Sequence, residues 1–453
     1  MSDITLLGGG CTGPLIALLL ARRGHRVTLY ERRHDPRLHA VPAGRSINLA
    51  LADRGIRALE RAGLMDKLRP ALVPMHSRMI HETDRAPVSL RYGQAAGEVL
   101  WSASRAGLHR LLVEAAAAEG VDCRFGQALV EADFDHAEAI LCDVASARRY
   151  RVPLSPAIAS DGSGSIMRSA MVRAGLCRAS EDRLPHCYKE LNIAADAHGR
   201  PRLDSEHLHI WPRGQLMLIA LPNADQTFTA TLFMPAEGDD ASFQNLSGSG
   251  AARRFFEKEF PDALELIDDF ESQYDEHPIG QLATIRTDNW HAGGMALLMG
   301  DAAHAIVPFH GQGLNCCFED CLTLDALLAE ESDWETVFRR FTDIRRPNAN
   351  AIADMALENY VEMRDAVRHP RFRLQKELAL TLERRHPDRF IPRYSMVMFH
   401  AEIPYAVAQQ RGAIQADILD ELTRDATTLD QVDLGLADSM ILERLSDLGA
   451  AAD

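Results

Sequence analysis

The sequence has no uninterrupted apolar run near the ~20 residues that a membrane helix requires, and its N-terminus enters a strand-like pattern at once. Neither a transmembrane helix nor a secretory leader is therefore expected, and no membrane anchor. Basic charge is in deficit, with 49 Lys and Arg against 65 Asp and Glu, a net charge of −16. That balance excludes general nucleic-acid binding, which needs a basic face, while leaving room for one local anion pocket. The eight cysteines (Cys11, Cys123, Cys142, Cys177, Cys187, Cys316, Cys317 and Cys321) show no C-x-x-C spacing. Zinc and dithiol chemistry thus lack their usual frame. Buried thiols in a reducing compartment, the cytoplasm, are the expectation, with Cys316, Cys317 and Cys321 serving helix packing. No metal site is expected. Internal repeats and low-complexity linkers are missing as well.

What is present is enough apolar material, 46% of 453 residues, for two or three domains. The opening segments ITLLGGG, PLIALLLARRG and HRVTLYERR read as strand, glycine turn, helix and strand. Gly24 stops the helix, and VTLY suits a strand. This is a βαβ unit. From about Tyr188 to Pro235 the texture changes: LHIWP, QLMLIAL and TFTATLFMP are separated by the turn signals PRGQ and PNADQ. An antiparallel meander is predicted there, and residues 77–93 are candidates to join it. A glycine-bounded strand returns in MALLMGDAAHA, and the chain is mostly helical by pattern from about Trp334.

Gly8, Gly10 and Gly13 fit G-x-G-x-x-G between strand and helix. Such glycines permit a tight turn, let backbone amides approach a pyrophosphate, and let the helix pack on the strand. The helix N-terminus then adds free N–H groups and partial positive charge. Glu31 ends the second strand, 18 residues beyond Gly13, where a carboxylate can accept both hydroxyls of an adenosine ribose. FAD or NAD is favoured there over NADP. A second patch, MGDAAHAIVPFHGQGLNCCFEDC, separates those two. Asp301 follows a strand and a glycine, placed to hold the ribityl hydroxyls that only a flavin possesses. Gly311 and Gly313 allow backbone near a flat ring, and a helix beginning near Leu314 and Asn315 points its positive end there.

These motifs, with ASDGSGSIMR (Asp161) between them, resemble the single-component flavin aromatic hydroxylases, and the resemblance extends over most of the chain. AGRSINLALADRG, SRMIH followed by RYG, SASRAGLHRLL, LHIWPRG and GDAAHAIVPFHGQG are similar to blocks of the kynurenine-hydroxylating branch, in the same order. The resemblance implies an α/β fold: a Rossmann-like FAD-binding domain in three parts (1–72, 99–182, 279–345), substrate-domain strands (73–98), an inserted antiparallel-sheet substrate domain (183–278) and a helical C-terminal region (346–453). It implies FAD as cofactor, NADPH as transient co-substrate, and O2, with hydroxylation at ring carbon 3 of L-kynurenine through a flavin C4a-hydroperoxide. No second G-x-G-x-x-G is present for the nicotinamide nucleotide, as in that family, so NADPH and NADH are not distinguished.

Residue by residue, the resemblance assigns Gly8, Gly10, Gly13, Glu31, Arg45, Arg105, Asp161, Asp301, Gly311, Gly313, Leu314 and Asn315 to the cofactor. Arg78 and Tyr92 match a substrate-carboxylate pair. Asn359 joins them, Glu362 is placed near the amine or a gating network, and Met363, Tyr394, Phe309 and His310 line the pocket. His310 is either a general base or a hydrogen-bonding wall. Two other readings remain open on the sequence: a related hydroxylase acting on a substituted kynurenine or other tryptophan-derived acid, and a non-catalytic binding protein on the same fold. Leu314, where many relatives carry methionine, leaves the exact substrate unfixed. Nothing in the sequence marks an oligomeric state.

Overall fold

The computed structural model describes residues 2–448 apart from 40–47, 84, 94, 96, 239–240 and 365–369. The opening strand Asp3–Leu7 is buried along Ile4–Leu7, the pattern of a parallel strand covered on both faces. It lies inside a six-stranded sheet ordered His291–Ala292, Ala296–Leu298, Ala157–Ala159, Asp3–Leu7, Arg26–Glu31 and Asp122–Phe125. All neighbours are parallel except the short hairpin at the His291 edge. Helix Thr12–Arg22 is buried from Thr12 to Leu20, because helices Arg105–Ala118 and Gly313–Glu330 flank it. The predicted βαβ unit and the returning strand are thus present, side by side in one sheet.

The second sheet has seven strands, ordered Ile279–Thr287, Ala179–Ile193, Phe228–Pro235, Leu216–Pro222, His207–Arg213, Ser77–Ile80 and Val88–Arg91. It is antiparallel but for the parallel pairing of Ser77–Ile80 with His207–Ile210. Alternation along its strands divides two cores. Leu218, Leu232 and Met234 face a cluster with Phe256, Phe260 and Phe270 from the helices beyond residue 248. Met217 and Phe233 face the other way, onto Val307, Phe309, Tyr360 and Met363. That second face forms a wall of the candidate site.

Sheet membership departs from the expected boundaries. Ile279–Thr287 pairs with Ala179–Lys189, so the antiparallel sheet runs beyond residue 278. Leu72–Met75 instead pairs with Leu100–Ala103 in a small sheet that also holds Leu49–Leu51. A separate three-stranded meander over Gln127–Pro153 was not distinguished in the sequence. Each departure rests on pairing between distant segments, to which local pattern is blind.

The C-terminal part is helical as expected: Trp334–Arg364, Pro370–Arg385, Arg393–Phe399, Tyr405–Leu422 and Leu434–Arg444. Among the described residues no helix is long and apolar enough to cross a membrane. Arg54, whose side chain is 0% exposed, ties this region to the first sheet's helices. Its guanidinium donates to Glu319 Oε1 (2.8 Å) and to the carbonyls of Ala401 (3.1 Å) and Ile403 (2.6 Å), and lies 3.9 Å from the Tyr405 ring centroid. Without Arg54 the carbonyls of Ala401 and Ile403 lose their buried donor, although Glu319 keeps Arg345. Arg54→Met is expected to destabilise the protein by about 1–3 kcal/mol, read as a lower denaturant midpoint, whereas an unchanged midpoint would show the region is held by apolar packing alone.

Candidate active site

The glycine turn shows why its side chains are missing. Gly8 has φ +103°, and a Cβ there would lie 2.3 Å from Ser160 O. One on Gly13 would lie 2.0 Å from Gly8 O, so helix and strand close on each other only with glycine. Around Gly10 the nearest atom to such a Cβ, Arg33 Nη2, is 3.9 Å away, leaving room beside the first helix turn. Glu31 is buried and accepts from Gly9 N (2.7 Å) and from Arg33 N and Nε (2.9 Å each). Burial works against its charge, but Arg33 outweighs it and holds the carboxyl below its ordinary range. His109, from the flanking helix, meets Gly9 O at 2.5 Å. Neither Arg33 nor His109 was singled out in the sequence, since only the fold brings them to the turn.

Across the cleft, Gly300 (φ +62°) ends the strand Ala296–Leu298, and Asp301 opens a short helix. The turn is pinned by Asp320, whose Oδ2 accepts from Gly300 N (3.1 Å) and His304 Nε2 (2.7 Å), while Oδ1 accepts from Arg345 Nε (2.7 Å). Arg168 donates to Ala302 O at 2.8 Å. Among the described residues, Asp301 has the Cys317 thiol as its one side-chain hydrogen-bond neighbour, 3.7 Å from Oδ1. Gly311 adopts φ +65° and Gly313 begins the helix Gly313–Glu330, with Leu314 half-buried in its first turn. Arg105 starts its own helix, exposed, and close enough for its charge to act on Cys11 at the mouth of the glycine-turn helix.

Two residues expected at the cofactor have their side chains engaged elsewhere. Asp161 accepts from Ser165 Oγ (2.6 Å), Ile166 N (2.8 Å) and Met167 N (3.3 Å), capping the helix Ile166–Arg173. Asn315 is buried and ties Ala52 N, Ala50 O and Gly311 O together, each at 2.9 Å. Both shape the cleft from behind. Arg45 lies outside the described residues. The remaining arrangement fits FAD: an open glycine turn, a carboxylate at the adenosine end, and an uncommitted Asp301 carboxylate at the far end.

The substrate-side residues converge from four separate segments. The Arg78 guanidinium carbon lies 4.5 Å from the Tyr394 ring centroid and 5.6 Å from that of Tyr92, and the two phenol rings stack at 5.9 Å. His310 stacks on Tyr394 at 5.3 Å. Phe309 packs between Tyr360 (4.0 Å) and Phe233 (5.0 Å). Arg78 Nε, Tyr92 Oη, His310 Nδ1 and Glu362 Oε1 are buried without a hydrogen-bond partner. Unpartnered buried polar atoms are costly, and four in one chamber make it a candidate place for a polar ligand. Asn359 donates to Phe309 O (2.6 Å), so it fixes the loop, and its amide also touches Met363 Sδ (3.3 Å). Glu362 pairs with Lys376 at 3.1 Å. Tyr360 and Phe233 were missed in the sequence because strand and helix apolar patterns do not say which face meets a ligand.

Charge in the chamber is confined to few groups. Burial pushes the Tyr92 and Tyr394 phenols up, so both stay neutral. Burial also drives His310 down to about 3, with Arg78 and Arg393 adding to the shift. Arg78 keeps its charge against burial, helped by the Glu362 carboxylate. His304, Cys316 and Asp320 bring ligand-type atoms within 4.8 Å of one another. Arg345 stands among them, donating to Asp320 (2.7 Å) and reaching Cys316 Sγ (3.4 Å), so a cation already fills that place. Burial pushes the thiols of Cys316, Cys317 and Cys321 up, which suits packing.

The family model described as "FAD binding domain" matches residues 1–356. A kynurenine 3-monooxygenase of Stenotrophomonas maltophilia (strain K279a) is 44% identical over 449 residues, 99% of this chain and 98% of the relative. One from Xanthomonas axonopodis pv. citri (strain 306) has the same identity and coverage. This chain belongs to the kynurenine 3-monooxygenase family. Among solved structures, the tetrameric form of 2-methyl-3-hydroxypyridine-5-carboxylic acid oxygenase aligns with TM-score 0.67 at 19% identity, over 82% of this chain and 94% of that one. Pseudomonas aeruginosa PqsL aligns with TM-score 0.63 at 21% identity, over 81% and 97%. Both share the fold, and the family's FAD-dependent monooxygenase character accords with the cleft described above.

Two outcomes follow from this geometry. Asp301→Ala should weaken FAD binding by about 10- to 150-fold, the range of a charge-assisted hydrogen bond lost, measured by flavin fluorescence on dilution; retention equal to wild type would remove Asp301 from the cofactor site. The second concerns acid. A histidine held at about 3 in the folded state binds its proton near 6.5 when unfolded, so the unfolded chain takes up protons first. Stability should therefore fall as pH drops from about 6.5 towards 3, and His310→Gln should flatten that slope in urea titrations; an identical slope would place the acid sensitivity elsewhere.

Proposed function

We propose that this protein hydroxylates L-kynurenine at ring carbon 3, yielding 3-hydroxykynurenine, with FAD as resident cofactor and NADPH and dioxygen as co-substrates. The observation that carries the reading is the group of four buried atoms without a hydrogen-bond partner, Arg78 Nε, Tyr92 Oη, His310 Nδ1 and Glu362 Oε1, in one aromatic-walled chamber of a chain from this family. Gly8, Gly10, Gly13, Glu31 and Asp301 would hold FAD, which when bound would supply electron transfer from the nicotinamide and activation of dioxygen.

The chain's own residues do the rest. Arg78 and the Tyr92 hydroxyl take the substrate carboxylate, because a buried anion needs a charge-assisted partner. Phe309, Tyr360 and Phe233 supply the apolar wall that excludes water from the ring. Asn359 holds the Phe309 carbonyl and so sets the wall's position. His310, neutral with a pKa about 3, is a hydrogen-bonding wall and a poor base. No acid–base pair is needed to activate the ring: the substrate's amino group already donates electron density to the ortho carbon, and orientation is the chain's main contribution. Eight free cysteines accord with residence in the cytoplasm.

Steady-state NADPH oxidation with and without L-kynurenine, with product identification, tests the activity. Kynurenine should accelerate oxidation and be consumed; indifference to kynurenine with turnover of a ring-substituted analogue would shift the substrate. Arg78→Ala should raise KM for kynurenine by roughly 10- to 150-fold with FAD content unchanged, and Arg78→Lys should recover only part of the loss, since the planar fork is gone. An analogue lacking the carboxylate should be affected much less. Equal losses on both compounds would assign Arg78 to the fold.

A further inference from the structure

An α-amino acid brings two opposite charges into a closed chamber, and Arg78 answers only one of them. The carboxylate beside it is Glu362, on the long helix Trp334–Arg364, whose charge acts on Arg78, His310 and Tyr394 alike. The Glu362 side chain is only 18% exposed, yet its partner Lys376 is 49% exposed and reaches in from the helix Pro370–Arg385, Nζ to Oε1 at 3.1 Å. Neighbouring cations are committed elsewhere: Arg393 pairs with Glu358, and Arg373 with Glu82. The Lys376 ammonium also lies 5.1 Å from the Phe372 ring centroid, a weak hold that does not fix it.

We propose that Lys376 is a built-in stand-in for the substrate's ammonium group, occupying Glu362 until an α-amino acid displaces it. This rests on the substrate reading given above. The two groups are chemically alike, each a primary ammonium with three donors. Lysine's flexible four-carbon stem lets its head swing into water at little cost, as an arginine fork would not. The burial asymmetry matters: Glu362 always needs a cation, because an unpaired buried carboxylate is costly, whereas Lys376 does not need Glu362. The pair therefore keeps the chamber neutral and makes it selective. A ligand with a carboxylate but no amine leaves Lys376 in place and gains nothing from Glu362. A ligand with both charges exchanges one ammonium for another and pays only the weak, half-exposed pair.

The experiment compares dissociation constants of L-kynurenine and its deaminated analogue, 4-(2-aminophenyl)-4-oxobutanoate, by perturbation of the flavin spectrum in the FAD-loaded protein. Removing the competitor in Lys376→Met should raise the preference for kynurenine over the analogue by up to about fivefold, the limit for a partly exposed ion pair. Lys376→Arg, which restores a cation whose planar fork is harder to displace, should bring the preference back to the wild-type value or below it. Glu362→Gln should bring the two constants close together, and adding Lys376→Met to it should change nothing further. An unchanged preference in Lys376→Met, or the same shift with and without Glu362, would overturn the proposal. If kynurenine leaves the wild-type spectrum unaltered, or binds Arg78→Ala as tightly as wild type, the substrate reading fails and this proposal with it. Flavin content, unaltered in Lys376→Met, together with a melting temperature lowered by no more than the unpaired Glu362 carboxylate accounts for and recovered in Glu362→Gln/Lys376→Met, separates these outcomes from misfolding.

Discussion

The Asp320 carboxylate, fully buried, holds the molecule's parts in register. It takes the Gly300 amide, the His304 ring and the Arg345 guanidinium at once. Those three belong to the turn that presents Asp301, to the helix that follows it, and to the long helix that reaches the substrate chamber. A carboxylate removed from water is tolerable only when its lone pairs are satisfied, and here burial is opposed by both His304 and Arg345, which hold the group below its ordinary range. Glu319, the adjacent residue, binds Arg345 (2.7 Å) and Arg54 (2.8 Å), carrying the same constraint to the C-terminal helices. The cofactor turn and the substrate helix are thereby fixed to one short stretch of chain.

From that anchor, the division of labour between the two sheets follows. The parallel sheet, buried on both faces, ends in glycine turns that open onto the candidate cofactor cleft. The antiparallel sheet spends one face on an ordinary aromatic core and the other on the chamber. Period-two alternation makes this possible: neighbouring residues such as Phe233 and Met234 serve opposite faces of one strand.

Much of this was legible in the sequence because its cause is local. The glycine turn, Glu31 and the Gly300–Asp301 turn are dictated by what a few consecutive residues permit, and the meander by alternation and turn signals. The convergence of Arg78, Tyr92, Phe309, His310 and Tyr394 could be read only through family resemblance, since no spacing rule links a strand at residue 78 to a helix at 394. Where the structure gave a side chain a different task, a motif had two physical uses. Asp161 in ASDGSGS suits a phosphate-side loop and a helix cap equally, and its three short hydrogen bonds are those of a cap. Asn315 and Asn359 stand where a ligand amide could, but each satisfies backbone carbonyls first. His109, Arg33 and Lys376 were invisible because their partners, Gly9, Glu31 and Glu362, give no sequence cue to a long-range contact.

The chamber's electrostatics bear on how the chemistry is shared. Tyrosines kept protonated and a histidine kept neutral leave Arg78 and Glu362, with Lys376 and Arg393 near the rim, as the ionised groups among the described residues around the aromatic walls. A site built for proton abstraction would place a group titrating near neutrality beside the reacting carbon. This one instead holds permanent charges, which on the proposed reading would meet the two ends of an amino acid. Fixed charges bind and orient without changing state during turnover, while a low-polarity wall keeps water from the ring. Such a chamber works through geometry, and the loop carrying Phe309 is held by an asparagine from one side and by a left-handed glycine at 311 from the other.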